Sequence, residues 1–343
     1  MSTIKSIFKN GKLLYGEKIM FETYLGEKYT FSQFASKVKD IQNTLYYYGI
    51  SKGDKVAILA EDTPQWNMAF YAITTMGAIA VPISKFKDIS TLHRITIAAE
   101  CNLLLLQKDI LNDITFEKLS EDTHLTIIDI DILKCVLSPN AKQKQNFKST
   151  NNVNSLTMPK VDIISTDLAA ARVDIDFYST NIIYFTHEEL IAEAKEQATE
   201  TGINENDVIV SIMPISYSYR KLTTALIPAI FGNTTIFKPR HSNFKMILSL
   251  ITEMKPTVIF TVPKVLELVY ASSMVDSKSK ALIETNVEKF GLFDKMRLKL
   301  QGSRIYKTLG GKVRVCNLDD EPNNRKVEKF LKYSGLNFKM KFN

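Results

Sequence analysis

Cysteine is scarce in this chain of 343 residues: Cys101, Cys135 and Cys316 are the only three, far apart and without a C-x-x-C spacing. An odd, scattered set argues against a disulfide framework or a zinc site and fits a reducing compartment. Apolar runs of about 18 residues, the length that crosses a bilayer, are absent, and the opening MSTIKSIFKNGK has no apolar secretory core. These absences predict a cytoplasmic protein with no transmembrane segment, peripheral attachment to a membrane being left open. Histidine is sparse as well. His93, His124, His187 and His241 are too dispersed for a metal site or a catalytic triad. Heptads and short-period repeats are missing.

The 45% hydrophobic content is enough to bury a substantial core in two or three subdomains. The formal net charge of +7 is unevenly spread, because residues 286–343 hold 14 Lys and Arg against 6 Asp and Glu. A basic segment attracts nucleic acid, anionic lipid or a CoA-like polyanion. Charge alone predicts a solvated face and no nucleic-acid partner.

Patterning predicts alternating helices and strands. Thr30 and Gln33 have capping-box spacing, and Phe34, Val38, Ile41, Leu45 and Tyr48 recur on one helical face that Gly49 closes. Val56–Leu59 reads as a buried strand, the stretch from Pro64 to Gly77 as a helix, and Ile79–Ile83 as the next strand. Leu103–Leu106 and Thr126–Ile128 look like further strands. Residues 138–160 are polar and read as a linker or surface excursion. Strands at Val208–Ser211, Thr234–Phe237 and Thr257–Phe260 then alternate with helices at Thr186–Thr201, Lys221–Phe231 and Phe244–Met254. Strand–helix–strand order implies parallel sheets covered by helices. The expected organisation is a first α/β subdomain over 1–137 and a second over 161–343.

Tyr29 to Ile83, with Glu61-Asp62-Thr63-Pro64-Gln65-Trp66 at its centre, resembles the opening of the AMP-forming adenylating enzymes, and most nearly the long-chain fatty acyl-CoA synthetases. Thr186-His187-Glu188-Glu189-Leu190 through Tyr270 continues the resemblance, and Leu309 to Asn343 extends it more weakly. What it implies is the N-terminal α/β part of such an enzyme, without the β-barrel subdomain and the C-terminal domain. The chain stops at Lys339-Met340-Lys341-Phe342-Asn343, where that family continues into Y-G-x-T-E.

Carboxylate activation by ATP needs backbone N–H groups and a cation around the β- and γ-phosphates. In the family a Y-T-S-G-T-T-G-x-P-K-G loop supplies them just before a T-H pair. Here Asp167 to His187 contains no glycine and no lysine. β-Branched residues resist the backbone angles that glycine permits, and Asp174 and Asp176 add like charge. Ser179, Thr180 and Thr186 are the polar residues left in this degenerate phosphate-loop region. Thr186 reads better as a helix N-cap for Glu189, and His187 as part of that cap rather than a base. The family's P-L-S-H stretch reads Met213-Pro214-Ile215-Ser216-Tyr217, and its adenine-binding turn has become Asn317-Leu318-Asp319-Asp320-Glu321-Pro322.

The resemblance makes Tyr217, Tyr219 and Pro263 the candidate acyl-pocket residues. It also implies a fatty acyl ligand and, as partner, an intact synthetase relative or a complementing chain. No catalytic residue and no metal ligand is assigned. No cofactor is expected, with ATP and Mg the cofactors if the family activity survives. The preferred expectation is a catalytically defective acyl-CoA synthetase homologue. The alternatives are the N-terminal part of a fatty acid–CoA ligase completed in trans and a decaying gene product without a role.

Overall fold

The computed structural model describes residues 2–83, 89–110, 125–138, 158–175, 179–212, 218–271, 275–285, 290–318, 325–336 and 338–340. The chain opens with helix α1 (Ile4–Tyr15), strands β1 (Ile19–Thr23) and β2 (Lys28–Thr30), and helix α2 (Phe31–Tyr47). Next come β3 (Lys55–Leu59), α3 (Pro64–Thr75), β4 (Ile79–Pro82), α4 (Ile89–Ala98), β5 (Cys101–Leu106), β6 (Thr126–Asp129) and β7 (Lys134–Leu137). A hairpin, β8 (Leu168–Ile175) and β9 (Thr180–Thr186), leads into α5 (His187–Thr201), β10 (Val208–Ser211), α6 (Ser218–Phe231), β11 (Thr234–Phe237) and α7 (Phe244–Met254). The rest is β12 (Val258–Thr261), α8 (Pro263–Ala271), α9 (Ser277–Glu284), α10 (Leu292–Thr308), β13 (Val315–Leu318), α11 (Arg325–Ser334) and β14 (Phe338–Met340). Two compact units result: Met1–Phe21 with Lys28–Ala198 and Pro214–Gly232, and Glu22–Glu27 with Thr199–Met213 and Asn233–Asn343.

The first unit is built on a sheet of order β7-β6-β5-β3-β4-β8-β9. Its interior pairs β3–β4, β3–β5, β5–β6 and β4–β8 are parallel, and antiparallel hairpins close both edges. Central strands covered by helices on both faces have no polar side to show. Val56, Ala57, Ile58, Leu59, Ile79, Ala80 and Val81 are accordingly all buried. Helix α3 is buried at every position but Gln65, which an all-round apolar helix requires. Thr63 caps it by accepting the Trp66 N–H, and Pro64 occupies the first turn. Gly77, at φ 88°, ends it, a left-handed angle that favours glycine. Helix α1 is an element that the sequence patterning does not predict. Thr3 and Ser6 form its capping box, and Ile4, Ile7, Phe8 and Gly11 make its buried face.

In the second unit β14-β13-β12-β10-β11 form a run of parallel strands. Val210 pairs with Ile236 on one side and Ile259 on the other, which places Val210, Ile236 and Ile259 in one buried row. Helices α10 and α11 pack where Gly302 meets Ser334. A Cβ on Gly302 would overlap the Ser334 carbonyl oxygen, so glycine is what allows that approach. The polar segment 138–160 lies outside the described residues except for Ser138 and 158–160.

Candidate functional site

The interval that carries the phosphate loop in the resembling family is a β-hairpin here. β8 and β9 stay paired from Leu168↔Thr186 to Ile175↔Thr180, so only residues 176–179 join them. Val173, Ile182 and Tyr184 lean on the apolar core beneath the sheet. Toward solvent, the Arg172 guanidinium donates to the Asp174 carboxylate through Nη2 at 2.9 Å and Nε at 3.2 Å. The hairpin's one cation is thus engaged with a carboxylate on its own strand.

Ser179 precedes β9 and Thr180 begins it, with the Thr180 hydroxyl buried and without a hydrogen-bond partner among the described residues. Thr186 closes the strand six residues later, about 20 Å along an extended backbone, so Thr180 and Thr186 do not converge. Thr186 is the N-cap of α5. Its Oγ1 accepts the Glu189 N–H at 3.3 Å, while Glu189 accepts the Thr186 N–H at 2.7 Å and its hydroxyl at 2.9 Å. The capping box expected from sequence is present.

His187 is fully buried, and its Nδ1 accepts the Ile4 N–H at 3.2 Å. Burial pushes its pKa down to about 4, opposed by Asp167 and reinforced by Lys52. The imidazole is therefore neutral near pH 7 and ties helix α1 to the start of α5. Asp167 accepts from Lys52 at 2.6 Å and from the Ile164 N–H at 2.9 Å, which holds its carboxyl below the usual range. These contacts make the T-H neighbourhood a junction of the fold.

Tyr219 lies against Phe185 of β9, ring centroids 4.4 Å apart. Burial, then repulsion from Glu193, Glu189 and Glu196, pushes its hydroxyl pKa up, with Arg172 opposing. This candidate acyl-pocket residue thus has an aromatic neighbour and carboxylates near enough to disfavour its ionisation. Pro263 is buried as the first residue of α8 in the second unit. Tyr217, Pro214, Asp176 and 319–322 lie outside the described residues. Asn317 and Leu318 are buried in β13.

Sequence reasoning missed a buried ion pair. Lys221 of α6 places its ammonium 2.6 Å from the Asp62 carboxylate and 5.1 Å from the Trp66 ring centroid. Burial pushes the Lys221 pKa down and Asp62 opposes that shift. The available signal was a lysine opening the apolar helical run KLTTALIPAI.

A nucleotide triphosphate does not fit the described part of the hairpin. It would need several inward N–H groups and a cation with no competing carboxylate. The strands instead offer β-branched backbone, one unpartnered neutral hydroxyl and an arginine already paired. Among the described residues no group of three or more His, Cys, Asp or Glu side chains is placed to hold a metal.

Comparison with known proteins agrees with this architecture. The family model for AMP-binding enzymes matches residues 14–170 and 183–336, two stretches that flank the hairpin turn. The chain belongs to the AMP-binding enzyme family. Among curated relatives it is 21% identical over 288 residues to 4-coumarate–CoA ligase 1 of Petroselinum crispum, covering 81% of this chain and 50% of that protein. It is 20% identical over 344 residues to the peroxisomal long chain acyl-CoA synthetase 7 of Arabidopsis thaliana, covering 92% and 48%. The chain thus spans about half the length of the curated relatives it matches. The inhibitor-bound N-terminal domain of FACL13 from Mycobacterium tuberculosis superposes with a TM-score of 0.73 at 15% identity, covering 100% of this chain and 76% of that one. The anthranilate CoA ligase AuaEII with anthranoyl-AMP gives 0.73 at 16%, covering 98% and 58%. These likenesses establish the fold: a mixed α/β protein with two parallel-rich sheets, as in the N-terminal domain of adenylating enzymes.

Proposed function

We propose that this chain is an acyl-CoA ligase homologue that does not activate carboxylates by itself and serves as a non-catalytic scaffold for an acyl ligand or a protein partner. One observation carries the reading: β8 and β9 remain paired to Ile175↔Thr180, across an interval with no glycine and no lysine. A triphosphate held at this position needs inward N–H groups and a free cation. Losing such transition-state contacts costs several kcal/mol each. Fatty acyl chains are the proposed ligand class, supported by the resemblance to long-chain synthetases and by the synthetase among the relatives. Three cysteines, none of them in a disulfide, support a reducing, cytosolic setting.

A second reading, a ligase completed in trans, draws support from the intact frame around the turn, where the Thr186–Glu189 capping box and both strands are built. Fatty-acid-dependent ATP–pyrophosphate exchange with Mg, run beside an intact synthetase, separates the two. The chain alone is expected to give no exchange. Exchange by the chain alone contradicts the scaffold reading, and exchange that appears only when a second chain is added supports completion in trans.

A further inference from the structure

Helix α10 has two apolar faces. Leu298, Gln301, Gly302 and Ile305 form one, and it is buried. Leu292, Phe293, Met296 and Leu300 form the other, and they are 81%, 86%, 61% and 57% exposed. At about 100° of turn per residue the second set fills an arc of roughly 100° on the side of the helix opposite the first. The expected solvated lysine face is thus a mixed one. Lys295 and Lys299 lie on one flank of the apolar stripe and Arg304 on the other, all exposed. Arg297 is turned aside to Asp276 at 3.1 Å.

Single exposed apolar residues are ordinary, but four large ones in a row along a helix mark a contact surface. The rim identifies the occupant. Lys295, Lys299 and Arg304 are exposed cations that border the stripe, so the surface asks for an anionic partner. A second copy of this chain meeting it face to face would bring the same basic rim and be repelled. An apolar stripe bounded by lysine and arginine suits the headgroup region of an anionic bilayer. There the stripe enters the acyl boundary, and each cation near the surface adds to the attraction.

We propose that the outward face of α10 is a membrane-contact surface that docks this chain on anionic lipid. Co-sedimentation of the purified chain with phosphatidylcholine vesicles, with and without phosphatidylglycerol, tests this. The chain is expected to bind the anionic vesicles, and added salt is expected to weaken that binding. The double variant Leu292→Ser, Phe293→Ser should lower the affinity about tenfold, and so should Lys295→Glu, Lys299→Glu, with both variants melting as the parent does. Three results overturn the proposal. The folded parent fails to bind anionic vesicles; the serine variant binds as well as the parent; or the parent is a dimer that the serine substitutions dissociate, which assigns the face to self-association.

Discussion

Lys221 and Asp62 form a 2.6 Å ion pair whose side chains are only 2% and 4% exposed. Trp66 lies 5.1 Å below the same ammonium, so helix α6 is fastened to the start of α3 by charge and ring together. Taking two ions out of water is costly, and their attraction offsets that cost only while both are present.

Breaking the pair should therefore be worse than removing it. Lys221→Met alone leaves a buried carboxylate and is expected to cost about 3–5 kcal/mol. The double variant Asp62→Leu, Lys221→Met should recover most of that loss. Urea unfolding of the two single variants and the double one measures the difference. Additive losses would contradict a coupled pair.

His187 makes the fold sensitive to acid. Its folded pKa is pushed down to about 4, whereas an unfolded histidine titrates near 6.5. Between those values the unfolded chain binds the extra proton, so stability is complete above about pH 6.5 and declines as pH falls toward 4, by roughly 3 kcal/mol in all. His187→Asn keeps an acceptor for the Ile4 N–H without titrating. Its urea midpoint should vary less with pH over this window than the parent's, and parallel pH profiles would rule the histidine out as the cause.

Thr186 acts as a cap. Thr186→Ala is expected to lower stability by about 1 kcal/mol, with Thr186→Ser close to the parent. Chemical denaturation reads both. Loss of acyl-ligand binding at unchanged stability would instead assign the hydroxyl a ligand role.

A sequence decaying without selection accumulates buried faults. Here the described core of both units is dominated by apolar side chains, and α1, α2 and α5 carry complete capping boxes. The purified chain is expected to be monodisperse and to melt cooperatively, as scattering and calorimetry would show. Aggregation on purification would favour decay.

Much of the fold was legible in the sequence because local chemistry sets it. Thr30–Gln33 and Thr186–Glu189 carry the usual capping-box letters, and both boxes form. Val208–Ser211, Thr234–Phe237 and the Phe244–Met254 helix stand where apolar patterning puts them. Helix α1 escaped because its box uses Ser6 at the position where Glu or Gln signals a start. Asp62 and Lys221 escaped for another reason: periodicity relates residues within an element and cannot pair a loop with a distant helix. The exposed stripe on α10 was hidden because two apolar faces on one helix leave no single periodic signal. At the candidate site the missing glycines were plain in the text, while the paired strands and the Arg172–Asp174 contact needed coordinates.

The most direct test of a scaffold without nucleotide is the melting temperature of the purified chain with Mg–ATP and, separately, with a long-chain fatty acid. Ligand that binds only the folded state stabilises it by about 2.7 kcal/mol at a hundredfold excess over its Kd, a shift readily seen in a melt. Mg–ATP is expected to leave the melting temperature unchanged while the fatty acid raises it. A rise with Mg–ATP would contradict the central claim, for it would mean that the rebuilt hairpin, or another part of the chain, still holds a triphosphate.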